Sequence, residues 1–276
     1  MIRTFELHAG GTAYTFPLPE WEYAVTYHLA MHHQPVLPRG YVIWDDEASN
    51  DFRTCQCRFL LDATDAQTLC GIANDVDKGR GSEVKLRLRS GCGWHPAGPD
   101  KGESGDFLAR FLSVKPGGVL ESPWQHFRVE VEFLLTSIPA YALPSEVSEG
   151  DLQIGTITGL RYPPDFPEPD TVYDVTTAVT RDGTGKPVDK LTDIYTTKLP
   201  MVCNESKAGA LINHMVGTVR DNTVSIVAGA NNFIFGRDNG GAGTHTCYWL
   251  NDMLTATHSR HDEWAFDLNF YQVSVA

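Results

Sequence analysis

Positive charge is scarce in this sequence. Lysine and arginine number 22 against 35 aspartates and glutamates, a formal net charge of −13 with histidine neutral. That balance argues against a protein that grips DNA or RNA, which needs a basic surface to neutralise phosphates. Long apolar runs are missing too, and nothing approaches the ~18 residues of a membrane-spanning helix. Met1 to Glu6 lack the basic start and apolar stretch of a secretory signal, so a soluble chain made in a cytoplasm is expected. Cysteine is thin: Cys55, Cys57, Cys70, Cys92, Cys203 and Cys247 are scattered along 276 residues and do not form the dense framework of a small secreted domain. Reduced thiols are expected. Cys55 and Cys57 are read as pointing to opposite faces of a strand, badly placed to share a metal ion. Low-complexity tracts are absent, and 42% hydrophobic with 21% charged residues describes a folded chain.

At 276 residues the chain exceeds an ordinary domain, and its pattern repeats. Pro19-Glu20 leads to the strand-like run Tyr23 to Leu29, and Pro167-Glu168 leads to Val172 to Val179. Arg58 to Leu61 runs into Asp62, followed by a helical spacing of Ala66, Leu69, Cys70 and Ala73. Leu199 to Cys203 runs into Asn204, followed by Ala208, Leu211, Ile212 and Met215, an offset of 142. Thr64 with Gln67 fits a capping box, and Asp62 is another candidate cap. Phe127 to Phe133 alternates apolar and polar as a half-buried strand must, and Trp264 to Phe270 does the same at an offset of 137. Deletions in loops account for the shrinking offset. The join is expected near Ser137 to Glu146, where two prolines and a polar run interrupt the pattern.

Val84, Leu86 and Leu88 are expected in the core, with Lys85, Arg87 and Arg89 facing away and pairing across strands with Glu130 and Glu132. Ser90 to Gly105 and Gly236 to Gly243 are long glycine-rich connections in equivalent places. They are read as projecting hairpin arms that contact a neighbouring subunit, with Cys92, Trp94, Lys101, Glu103, Arg237, Asp238 and Asn239 as candidate assembly residues. Gly236 to Gly243 has neither the Lys-Ser/Thr ending of a phosphate loop nor a dinucleotide-binding spacing.

Catalytic chemistry is thin. His258, His261, Asp262 and Glu263 carry metal-binding side chains, but an exposed turn before a strand explains them better. His28, His32 and His33 fall on two strand faces. Glu130 and Glu132 share a face and read as a structural ladder before a glycosidase pair. Of the six tryptophans, Trp94 and Trp124 are the freer candidates for a sugar-stacking platform, whereas Trp264 is periodic with the core. No enzyme activity, cofactor or metal site is expected. A sugar-binding β-sandwich and a metal-dependent hydrolase are the alternatives.

A strand-rich unit with one short helix, a long hairpin arm and a terminal alternating strand resembles the tail-tube fold of long-tailed bacteriophages and related injection machines. Asp62 to Asp75 with Phe127 to Phe133, and Asn204 to Val216 with Trp264 to Phe270, carry the resemblance. It implies a mainly β, α+β protein with short helices: two tandem tail-tube-like, β-sandwich and barrel-forming domains at residues 1–136 and 152–276, each with one packed helix, joined by linker 137–151. In that family six domains close a ring whose inner wall is a continuous β-barrel with helices outside. Two such domains in one chain look like a baseplate hub at the tail tip, a homotrimer; a hexameric distal tail protein is the close alternative. The partners implied are the tail tube protein above, tail-tip, spike or fibre proteins below, and phage DNA passing through without specific binding. Localisation would be the virion tail tip after assembly in the host cytoplasm. Arg128, Glu130, Glu132, Asp267 and Asn269 would face the channel.

Overall fold

Alternation does most of the folding work. In Phe127 to Ser137 the residues at every second position, Val129, Val131, Phe133 and Leu135, are buried, as one face of a strand requires. The computed structural model describes residues 3–35, 41–45, 51–119, 126–161, 170–174, 177–179, 185–187, 194–220, 222–228, 243–259 and 263–275. In the first half these form β1 (Thr4–Ala9), β2 (Thr12–Pro17), β3 (Tyr23–His28), β4 (Met31–Pro35), β5 (Tyr41–Asp45), β6 (Phe52–Leu61), α1 (Ala63–Asn74), β7 (Val84–Leu88), β8 (Gly105–Val119) and β9 (Phe127–Ser137). The second half holds β10 (Leu152–Ile154), β11 (Ile157–Leu160), β12 (Asp170–Asp174), β13 (Thr177–Val179), β14 (Gly185–Pro187), β15 (Ile194–Asn204), α2 (Glu205–His214), β16 (Thr223–Ala228), β17 (Gly243–Trp249), β18 (Met253–His258) and β19 (Glu263–Val275).

The protein is mainly β with two short helices, and 15 of the described strands join in one antiparallel sheet. The first half is ordered β2-β1-β7-β8-β9-β6-β3. In the second, β11-β10-β16-β17-β19 continues through β15 to β12. The neighbours thus follow the same order, and β4–β5 and β13–β14 form separate hairpins. Registers agree as well: Cys57 stands opposite Val131 as Leu199 stands opposite Leu268. The sheet does not stop at the join expected near residues 137–151. β18 pairs with β3 over six residues, Met253 opposite His28 through His258 opposite Tyr23, and carries the sheet from one half into the other.

Each half closes its core by bending. β8, 15 residues long, pairs with β7 near its start and with β9 along the rest. It thereby passes from one layer to the other and folds β1 and β2 over β6. Phe5 packs on Phe59 at 5.6 Å between ring centres, and Trp94 meets Phe5 edge-on at 5.1 Å. In the second half the same path is split between β17 and β18, and Trp249 of β17 is buried with Leu268 and Phe270 of β19.

Both helices start where the sequence places them. The Asp62 carboxylate accepts from Asp65 N at 2.8 Å, and the Asn204 side chain accepts from Lys207 N at 2.9 Å, each satisfying an end N–H. Thr64 is therefore not the cap; it lies within the first turn of α1, and its carbonyl accepts from the Thr68 hydroxyl at 2.8 Å. Cys55 and Cys57 are both buried in the core, because residues two apart on a strand share a face. The opposite-face expectation had the parity wrong.

The loop from Ser90 to Ser104 is not a projecting arm. Cys92, Trp94, Ala97 and Asp100 are buried. The Glu103 carboxylate accepts from the backbone N–H groups of Gly91 and Gly93. Arg53 reaches in from β6, donating to both Asp100 oxygens at 2.8 and 2.9 Å and to the Ala97 carbonyl at 2.7 Å. Tyr27 donates to Asp100 at 2.8 Å, so the buried carboxylate is fully occupied. The loop also touches the second half, with His95 Nε2 3.4 Å from Glu205 of α2.

Candidate functional site: the outward face of the joined sheet

Strand parity decides what this face carries. Where Val129, Val131, Phe266, Leu268 and Phe270 point to the core, Arg128, Glu130, Glu132, Asp267 and Asn269 point away from it. Register then sets their neighbours. One row crosses seven strands as Ser113, Glu132, Gln56, Ala24, Thr257, Ala265 and Val202, with no basic residue in it. Beside it run Leu134, Thr54, Thr26 and Thr255, with the two threonine hydroxyls of β3 and β18 at 3.1 Å.

The five candidate residues thus sit on one face, split between the halves and bridged by β3 and β18. Two shallow hollows lie on it. One of about 270 Å³ is lined by Gln56, Arg58, Glu130 and Thr257; the other, about 550 Å³, by Lys198, Thr257, Asp267 and Asn269. Thr257 belongs to both, so the surface is continuous across the halves.

Each acidic residue here has a local answer. Glu130 stands between Arg58 and Lys115 in register. Glu132 accepts from Ser113 at 3.4 Å, Asp267 pairs with Lys198 at 2.7 Å, and Arg128 donates to Glu20 at 3.1 Å. The basic row of β7 does not reach Glu130 or Glu132, because β8 lies between β7 and β9. Lys85 and Arg87 instead meet Asp106 at 3.5 and 2.9 Å, and Arg89 reaches Glu6 at 3.7 Å. The Arg87 guanidinium holds the Asp106 carboxyl below the usual range.

The other candidates disperse. Trp94 is core and presents no platform for sugar, while Trp124 lies outside the described residues. Lys101 and Glu103 are partly exposed on the folded-back loop; Arg237, Asp238 and Asn239 lie outside the described residues. His258 is not in an exposed turn. It is buried in β18, stacked on Tyr23 at 4.7 Å, with Nδ1 2.8 Å from the Trp21 carbonyl. Glu263 pairs with Arg161 at 2.8 Å, and His261 and Asp262 lie outside the described residues. Among the described residues no three His, Cys, Asp or Glu gather closely enough to hold a metal ion, and no helix is long and apolar enough to cross a membrane. Burial pushes the Cys92 thiol up to about 11 and the Cys203 thiol to about 12, the reverse of what a nucleophile needs.

Sequence reasoning missed the buried pair that holds the folded-back loop, Arg53 with Asp100, and the contact that joins the halves, Arg220 with Asp51 at 2.6 Å. No protein-family model matches the chain, and no curated protein sequence matches it.

Proposed function

We propose that the chain is a ring-forming structural protein of a phage-type tail, with two tube-like units arising from one duplicated domain. Three copies would close a ring at the tail tip, and the outward sheet face would line a channel for DNA. One observation carries the reading. The four-strand set β3, β6, β9 and distal β8 recurs as β12, β15, β19 and β18, and β18·β3 pairing already joins one set to the other.

That join leaves two ends. Among the described residues, β12 pairs only with β15, and the Ser113–Val119 part of β8 pairs only with β9. Open edges of this kind invite another strand, and head-to-tail contact between copies with a fixed rotation closes a ring. Pro116 within distal β8 suits an edge strand, since it has no N–H to donate.

The wall chemistry fits passage without capture. Its acidic groups are balanced by Arg58, Lys115, Arg128 and Lys198, and the row between is mostly small and uncharged, leaving little net field to hold a phosphate backbone. The partners proposed are tube proteins above and tip, spike or fibre proteins below. The sugar-binding reading loses Trp94 to the core, and the hydrolase reading loses His258. Native mass spectrometry of the purified chain tests the proposal. A trimer is expected, a hexamer would favour the distal-tail alternative, and a monomer at tens of micromolar would remove the ring.

A further inference from the structure

We propose that the chain carries a binding site for a neutral saccharide, in the hollow where the β2–β3 connection meets the loop after β7, with the Trp21 indole as its stacking platform. The site is complete within one chain and does not depend on the ring.

The hollow has a volume of about 450 Å³, which falls in the usual range for small-ligand clefts, roughly 300–1,000 Å³. Arg3, Leu18, Glu20, Trp21 and Gly93 line it. Tyr23 and Trp94 also line it, but from the core, at 4% and 1% exposure. Trp21 is different: at 51% it is the most exposed large aromatic side chain among the described residues.

A single exposed tryptophan is ordinary, but this one is held in place. The buried His258 puts its Nδ1 2.8 Å from the Trp21 carbonyl, and its imidazole lies nearly parallel to the indole, with 20° between the planes and 6.4 Å between the centres. Tyr23 stacks on the same imidazole at 4.7 Å. The backbone on the way to the indole is pinned as well, since Leu18 N donates to the Arg3 carbonyl at 3.1 Å and Glu20 N to the Arg58 carbonyl at 2.7 Å. A ligand arriving here would not have to order its platform.

A donor and an acceptor stand in the same hollow. Arg3 Nη1 donates to the Cys92 carbonyl at 3.2 Å, which leaves Nε and Nη2 without partners among the described residues. Glu20 Oε1 accepts from Arg128 at 3.1 Å, and its Oε2 has no partner among them. Gly93, at φ 82°, leaves room between guanidinium and indole: a Cβ there would come 3.2 Å from Arg3 Nη1 and 3.7 Å from the Trp21 ring.

This combination suits a pyranose. Its C–H face can lie on an indole, while its hydroxyls accept from a guanidinium and donate to a carboxylate. The charge favours a neutral ligand, because one cation and one anion line the hollow and the chain as a whole, at −13, repels polyanions. A proline-rich peptide fits less well, since it docks in grooves lined by several exposed aromatics and here one is exposed.

The test is calorimetric titration and saturation-transfer NMR of the native chain with maltotriose, cellotriose, chitotriose and lactose, beside a proline-rich decapeptide and a dT10 oligonucleotide. At least one of the sugars should bind with a Kd of ~1 mM or tighter, as one stacked ring with a few charge-assisted hydrogen bonds supports. Trp21→Ala should weaken that binding by roughly tenfold or more, the loss typical of an aromatic anchor, while Glu20→Gln weakens it by roughly threefold. The melting temperature should stay close to that of the native chain in both variants. If Trp21→Ala melts early, Trp21→Phe and Arg3→Ala give the same reading, each expected to bind more weakly in a folded protein. No sugar binding at ~10 mM, ten times the expected constant, would overturn the proposal. So would sugar binding that Trp21→Ala, or both of the alternative variants, left unchanged, or binding of the peptide or the oligonucleotide in place of the sugars.

Discussion

The two helices begin alike and are covered differently. α1 and α2 share a side-chain cap, from Asp62 and Asn204, and bury Ala66 and Leu69 in one case, Ala208 and Leu211 in the other. Beyond that they diverge. On α2, Lys207 is 2% exposed and gives its ammonium to Glu146 at 2.8 Å and to the Thr158 carbonyl at 2.7 Å. Gly209 lies so close under the Pro99 carbonyl that a Cβ would come within 2.7 Å of its oxygen. The matching positions on α1 are Asp65, half-buried, and Gln67, exposed. The cause is the cover. The loop from Ser90 to Ser104 belongs to the first half and lies over the helix of the second, with residues 144–146 beside it.

Removing the cover should have the largest effect. Trp94→Ala opens a void among Phe5, Phe59 and Phe133 and is expected to cost about 3–5 kcal/mol, seen as a lower denaturant midpoint with early loss of exchange protection in α2. Asp100→Ala leaves the Arg53 guanidinium, 14% exposed, without its carboxylate, and should cost a similar ~3–5 kcal/mol. The same effect on α1 as on α2 would break the comparison.

Exchanging residues between the helices sharpens it. Gly209→Gln, which writes the α1 residue into α2, forces a side chain against backbone and should cost at least about 1–3 kcal/mol in a thermal melt. Gln67→Gly should lose only the helix propensity, about 1 kcal/mol. The caps should respond equally: Asp62→Ala and Asn204→Ala are each expected to cost about 1 kcal/mol. The smallest effect concerns thiols. Cys70 on α1 is partly exposed, whereas Cys92 and Cys203 are buried with thiols raised to about 11 and about 12. At pH 8 in native buffer Cys70 should be alkylated before either, as peptide mass mapping would record.

Much of this comparison was legible in the sequence, and the reasons are local. The offsets of 142 and 137 match the strand registers because alternation and caps are written into neighbouring residues: Leu61 stands opposite Phe127 as Cys203 stands opposite Trp264. The β3 and β12 match was legible only roughly, since Tyr27 stands opposite Arg53 as Tyr173 stands opposite Tyr195, a register shifted by two from the Pro-Glu alignment. The loop was misread because its glycines suggested mobility, while Trp94, Pro96 and Pro99 within it already signalled packing. The β18·β3 junction left no trace in the sequence. Which strand meets which edge is decided by how each half bends, and the bend is set by register shifts in β8 and by the break between β17 and β18.

The central claim is that the outward face of the joined sheet becomes the inner wall of a closed ring. Electron cryo-microscopy of the assembled particle, at a resolution that traces strands, tests it most directly. The account predicts three chains in a ring, with Glu130 and Asp267 on the lumen, α1 and α2 outside, and distal β8 against β12 of the next copy. A ring with the helices toward the lumen, or chains meeting through surfaces other than these two strand edges, would contradict it.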